Sequence, residues 1–243
     1  MRETRVQRFR RARRDPELAI LEGFHALKHA LRFGADPIEV VAVNPDGLER
    51  LAEELAPDLA GRLEGVASRI DGEEFAELAP QAAHTGVAAI ARRPVIDVDA
   101  ALAEQRAAPV VLLESPRNMG NMGACVRVAA AADAAAVFTT GDNDPWHPDA
   151  LRGAAGLHFA LPVARLEGLP RCDRPLVAID PEGEDIGAVG LPPRAILAFG
   201  TERHGLSVEL LERADIRLGI PMRPGVSSLN LATSLAAVLF QRL

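Results

Sequence analysis

The sequence predicts an α/β protein, with a C-terminal domain built on a mostly parallel sheet and a smaller α/β domain before it. Three observations predict this. Short apolar runs alternate with stretches of helical periodicity along the chain. The apolar runs of the C-terminal part at 110–113, 136–139, 176–179 and 195–199, with a fifth at 216–220 interrupted by Arg217, are what strands covered on both faces require. A polar, Ala-rich stretch after Arg92-Arg93-Pro94 separates the two parts, giving domains at 1–94 and 109–243 with a linker at 95–108.

Taken in order, residues 17–33 carry Leu18, Leu21, Phe24, Leu27 and Leu31 at helical spacing and stop at Gly34, which predicts a helix. Strands follow at 38–43, 66–70 and 86–91, with helices at 48–55 and 73–78. In the second part a strand at 110–113 leads through a Gly/Asn loop into a helix from about 122 to 132, then a strand at 136–139. The strands at 176–179, 195–199 and 216–220 complete the sheet, and a helix over 229–241, capped by Ser227 or Ser228, ends the chain.

Composition narrows the class. No run of 18 apolar residues predicts a membrane helix, and no apolar segment follows the charged N-terminus as a secretory signal would require. Two cysteines, Cys125 and Cys172, are too few for a disulfide framework or a Cys-rich zinc site, so no metal is implied and a soluble, cytoplasmic protein is expected. The net charge of −7 hides a local excess of the opposite sign: residues 2–14 carry seven arginines against Glu3. Such an arm either grips a phosphate backbone by two-point contacts or frays into solvent.

Three loops, each after a predicted strand, carry the polar chemistry. Such sheets bind ligands at the carboxyl ends of their strands. The first loop runs from Glu114 through Asn118, Gly120, Asn121 and Gly123 to Arg127. Its glycines allow close backbone approach and its asparagines offer donors and acceptors. The second contains Gly200, Thr201, Glu202, Arg203, His204 and Gly205, with Ser207 as a helix cap; His204 reads as a solvated side chain. The third runs from Ile220-Pro221-Met222 to Ser228-Leu229-Asn230, where Asn230 is a poor helix former just inside an apolar helix.

In order and spacing these loops resemble the three motifs of the SpoU (TrmH) family of SPOUT RNA methyltransferases. Asn121, Gly123 and Arg127 match N-x-G-x-x-x-R. Gly200, Glu202, Gly205 and Leu206 match G-x-E-x-x-G-L, and Ile220, Pro221, Met222, Ser228, Leu229 and Asn230 match I-P-M…S-L-N. The segment from Asp144 to Gly156 is similar to a further family segment. Residues 10–94 resemble the family's L30e-like RNA-binding domain through Leu21-Glu22-Gly23 and the strand from Thr85 to Ile90. Ala232 departs from the pattern, since many relatives carry Ser there.

The resemblance implies a deep trefoil knot in the C-terminal domain, one of the few exceptions to a general rule. It also implies a homodimer with a shared site, and ribose 2′-O-methylation of structured RNA, ribosomal RNA ahead of tRNA, by S-adenosylmethionine. By match, Gly200, Thr201, Ile220, Met222, Ser228 and Leu229 bind the donor. Arg127, Asn121, Glu202, Ser228 and Asn230 form the catalytic set. Arg127 acts either as the base, the family's proposal, or as an electrostatic clamp on phosphate and developing alkoxide, because guanidinium groups hold their proton tightly. Two rivals remain open. A nicotinamide-dependent oxidoreductase fits a Gly-loop after a strand, but the spacing here is G-x-x-G (Gly120, Gly123). A non-catalytic RNA-binding protein with a decayed pocket is the other.

Overall fold

The computed structural model describes residues 3–80, 84–201, 203–226 and 228–241. Along the chain run α1 (Arg5–Ala12), β1 (Leu18–Glu22), α2 (Phe24–Arg32), β2 (Pro37–Ala42), α3 (Pro45–Leu55), α4 (Ala60–Leu63), β3 (Ser68–Arg69), α5 (Gly72–Leu78), β4 (Val87–Arg92) and α6 (Val98–Ala103). There follow β5 (Val110–Leu113), α7 (Met119–Ala131), β6 (Ala136–Thr139), α8 (Pro148–Gly153), β7 (Val163–Arg165), β8 (Leu176–Asp185), α9 (Ile186–Val189), β9 (Ile196–Phe199), α10 (Val208–Arg213), β10 (Ile216–Gly219) and α11 (Leu231–Phe240). The chain divides into two compact units. One is Met1–Val95 with Trp146–Ala160, and the other is Ile96–Pro145 with Leu161–Leu243.

The first unit is a four-stranded sheet in the order β1-β4-β2-β3. Residues 17–33 do not form a single helix. Leu18–Glu22 is a strand paired antiparallel to β4, and Gly23, at a φ of 90°, turns the chain into α2. Pairing with β4 buries Ala19, Ile20 and Leu21, and that tertiary gain overrides the helical spacing of the leucines.

The arginine-rich N-terminus is neither frayed nor a free arm. Thr4 and Gln7 close a capping box, and the resulting helix buries Phe9 and Ala12 against Ile20, Phe75 and Leu78. Arg5, Arg8, Arg10, Arg11 and Arg13 each meet a carboxylate of the same unit, while exposed Arg14 has no ion pair with another described residue. Arg8 grips Glu39 with Nε and Nη2, both at 2.8 Å, and Arg5 adds a contact at 3.2 Å. The hydrogen bond from Arg8 holds the Glu39 carboxyl below its ordinary range. Glu22, almost wholly buried, takes Arg13 at 2.5 Å and Arg152 at 2.8 Å. Arg152 belongs to α8, which packs on β1 although its sequence neighbours lie in the other unit. Just past α8, Gly156 approaches α2 so closely that a Cβ there would stand 2.3 Å from the Ala26 carbonyl oxygen.

The second unit is a six-stranded sheet in the order β10-β8-β9-β5-β6-β7, parallel throughout. The chain leaves β5 in one direction through β6 and β7. It then returns on the other side through β8 and β9, so the order switches between β5 and β9. The expected strands β5 and β6 occur residue for residue. β8 runs on past 179 to Asp185, with a register shift against β10 between Arg217 and Leu218. Three-residue β7 was too short to leave a periodic signal.

The middle of the stretch 95–108 is ordered and partly packed, while Val95 is fully exposed. It forms α6, whose Ala101 and Leu102 lie in the second core. Buried Arg174 secures its end with hydrogen bonds to the carbonyls of Leu102 (2.7 Å), Glu104 (2.8 Å) and Ala108 (2.9 Å). Burial pushes the Arg174 guanidinium below the usual arginine value. Among the described residues no helix is long and apolar enough to cross a membrane.

Candidate active site

Three loops at the carboxyl ends of β5, β9 and β10 carry the candidate site residues. After β5, Ser115 sits at a φ of 46°, a left-handed conformation that non-glycine residues seldom adopt. The chain is held there by two bonds from the loop after β6. The Ser115 amide donates to Thr140 Oγ1 at 3.2 Å, and Asn143 Nδ2 donates to the Pro116 carbonyl at 2.9 Å. Asn118 then caps α7, accepting from the Asn121 amide at 2.9 Å. The helix therefore starts three residues earlier than the sequence suggested, and Asn121 and Arg127 both ride on it. Arg127 is exposed and makes no hydrogen bond or ion pair to another described residue.

After β9 the chain doubles back tightly. Thr201 and Gly205 exchange backbone hydrogen bonds of 3.0 Å in both directions. A Cβ at position 200 would lie 2.0 Å from the Gly205 carbonyl carbon and 2.2 Å from the Leu206 nitrogen, so glycine alone fits. Ser207 caps α10 as expected. Its amide and hydroxyl both donate to the Glu114 carboxylate, at 2.7 and 2.6 Å, which ties the first loop to the second. Exposed His204 donates its backbone N–H to Thr201 Oγ1. Glu202 lies outside the described residues, as does Ser227.

After β10 the expected helix start is corrected. α11 begins at Leu231, and its cap is Asn230, whose Oδ1 accepts from the Ala232 amide at 2.9 Å. Asn at this point is a favoured cap, which removes the apparent anomaly of a poor helix former inside a helix. Asn230 also donates through Nδ2 to Asn121 Oδ1 at 3.1 Å, joining the third loop to α7, and α7 packs along α11.

Ile179, Asp180 and Pro181 of β8, the loops after β9 and β10, and the start of α11 surround a cavity of about 300 Å³. Gly200, Thr201, Ile220, Met222, Ser228 and Leu229 all line it. Asn121, Arg127 and Asn230 are not among its lining residues; they belong to the α7–α11 pair. Sequence reasoning missed Asp180 and Arg203 on the cavity, Glu114 as the brace between loops, and Asn143 behind the strained turn. Asp180 carried a usable signal, since it immediately follows the apolar run 176–179.

Sheet and cavity define the class: an α/β protein that binds a small ligand in the crevice beyond its parallel strands. The SpoU rRNA Methylase family model matches residues 108–240, and the chain belongs to that family. It is 32% identical over 239 residues to an uncharacterized tRNA/rRNA methyltransferase of Mycobacterium bovis, covering 93% of this chain and 80% of that one. It is also 33% identical to the 23S rRNA (adenosine(1067)-2'-O)-methyltransferase of Streptomyces laurentii, over 57% of this chain and 55% of the relative. The SpoU methyltransferase AviRb of Streptomyces viridochromogenes, solved with the cofactor AdoMet, superposes with a TM-score of 0.77 at 22% identity, over 98% of this chain and 96% of that one. The protein is thus a methyltransferase of the SPOUT fold, and S-adenosylmethionine is its family's methyl donor.

Proposed function

We propose that this protein moves a methyl group from S-adenosylmethionine to a ribose 2′-hydroxyl of structured RNA, ribosomal RNA ahead of tRNA. It does so as a cytoplasmic homodimer carrying the family's trefoil knot. The observation that supports this reading most directly is that all six residues matched to the family's donor positions line one cavity. The lining suits the donor. Ile220, Met222 and Leu229 offer an apolar slot for a flat purine, and the Gly200 turn brings backbone against it without a side chain.

The bound donor supplies an electrophilic methyl group on a sulfonium. The chain's own groups do the remainder. Arg127, exposed and uncommitted to any described residue, fixes the target phosphate and stabilises the alkoxide charge that develops on the ribose oxygen. Asn121 and Asn230, hydrogen-bonded to each other, hold α7 in register with the loop that leads out of the donor cavity. Collinear placement of the attacking oxygen and the methyl carbon is what such rigidity contributes to rate. Ser228 on the cavity wall and Glu202 orient the ribose and the substrate loop. The first unit supplies further RNA contacts.

The test is transfer of labelled methyl to ribosomal RNA and tRNA from cells lacking the protein, followed by digestion to nucleosides. Label in 2′-O-methyl nucleosides from ribosomal RNA is the expected result. Label from tRNA alone corrects the substrate, and label on a base overturns the ribose assignment.

A further inference from the structure

The donor cavity is mostly apolar, yet two charged side chains line it. Among its described lining residues Asp180 is the only carboxylate and Arg203 the only cation. A charge beside an apolar cavity is costly unless an opposite charge meets it.

Asp180 meets such a charge, Arg217, on one oxygen only and keeps the other open. Its side chain is 12% exposed. Its Oδ1 accepts from Arg217 Nη2 at 2.8 Å and from the Glu182 amide at 2.8 Å. Both bonds fall on the same oxygen, so Oδ2 has no hydrogen-bond donor among the described residues. Arg217 is itself bonded to Glu182 at 3.1 Å, so the carboxylate is clamped from a strand and from its own turn. Arg203, on the loop after β9, has no ion pair with another described residue. One fixed negative group and one positive group without an ion pair to a described residue therefore line the same cavity.

We propose that Asp180 and Arg203 read the amino-acid tail of the donor, the carboxylate taking the α-ammonium and the guanidinium taking the α-carboxylate. The inference rests on the donor assignment above and adds the residues that distinguish a tailed adenosyl ligand from a bare one. A zwitterion is the ligand group whose charges match one of each sign. The purine meanwhile occupies the apolar part, which these two residues leave untouched. Arg217 is a positioning residue that holds Asp180 in place.

Calorimetric titration of the full chain with S-adenosylhomocysteine and with 5′-methylthioadenosine tests this. The two ligands share the adenosyl thioether, but the second lacks the amino-acid tail. Asp180→Asn and Arg203→Gln should each weaken S-adenosylhomocysteine roughly tenfold or more, the loss of one charge-assisted bond, while methylthioadenosine stays within about twofold of wild type. Retained methylthioadenosine binding also reports an intact fold, and Arg203→Gln, on an exposed loop, guards against a collapse caused by Asp180→Asn. Equal weakening of both ligands by both variants, or no weakening of either, overturns the inference. Failure of wild-type protein to bind either ligand overturns the donor reading beneath it.

Discussion

The two units use arginine in opposite ways. In the first, five arginines of the densest cluster of positive charge in the chain are spent internally: Arg5 and Arg8 on Glu39, Arg10 on Glu77, Arg11 on Glu3 and Arg13 on Glu22, which also takes Arg152. In the second, Arg127 and Arg203 sit singly in the sequence, exposed and uncommitted to any described residue. Charge density along a sequence therefore marks neither the active site nor a free arm. On the proposed reading, Arg127 and Arg203 are the arginines whose counter-ions come from RNA and donor rather than from the fold.

Substitutions can break or sharpen that contrast. The largest effect is expected at glycines where the backbone leaves no room. Gly200→Ala drives a Cβ into the Gly205–Leu206 backbone and should cost more than about 3 kcal/mol locally, equivalent to a loss of donor affinity above about a hundredfold. Gly156→Ala meets Ala26 backbone in the first unit and should lower stability while donor affinity survives. Calorimetry with S-adenosylhomocysteine beside thermal unfolding separates the two.

Next come the contacts that seat α1. Phe9→Ala removes a fully buried ring and should destabilise the first unit by about 3–5 kcal/mol. Arg8→Ala, whose side chain is 35% exposed, should cost less than about 1 kcal/mol. Urea unfolding monitors both. If Arg8→Ala costs as much as Phe9→Ala, ion pairs rather than core burial hold the helix.

A smaller effect is expected at Asn230. Asn230→Asp keeps an acceptor for the Ala232 amide but cannot donate to Asn121. Stability should hold while the single-turnover methyl-transfer rate falls roughly tenfold. Asn230→Ala should lose the cap as well, by about 1 kcal/mol. Equal rates for Asn230→Asp and wild type would reduce the residue to a cap.

The smallest effect is pH-dependent. Because Arg8 holds Glu39 below the ordinary carboxylate value of 4.5, its contribution is complete above that pH and fades as pH falls below it. The stability of Glu39→Gln against pH should therefore be flatter than wild type in that acid range.

Much of the second unit was legible because a strand buried on both faces is written as an unbroken apolar run. Val110–Leu113 and Ala136–Thr139 matched to the residue. The first unit was harder. Leu18, Leu21, Phe24, Leu27 and Leu31 keep helical spacing straight through Gly23, although a strand ends there and a helix begins. The site showed the same split. The donor-side residues stood out as a loop pattern. Glu114, Asn143 and Arg217 act through partners 93, 27 and 37 residues away, distances at which spacing carries no information. The Trp146–Ala160 segment joins the first unit by contacts such as Gly156 against Ala26, which no local pattern announces.

Arg127→Ala tests the central claim most directly, with two quantities measured on the same preparation: S-adenosylhomocysteine affinity and labelled-methyl transfer to ribosomal RNA. Because Arg127 lies off the donor cavity, affinity should stay within about twofold of wild type while transfer falls by at least about a hundredfold. Transfer at the wild-type rate would contradict the account.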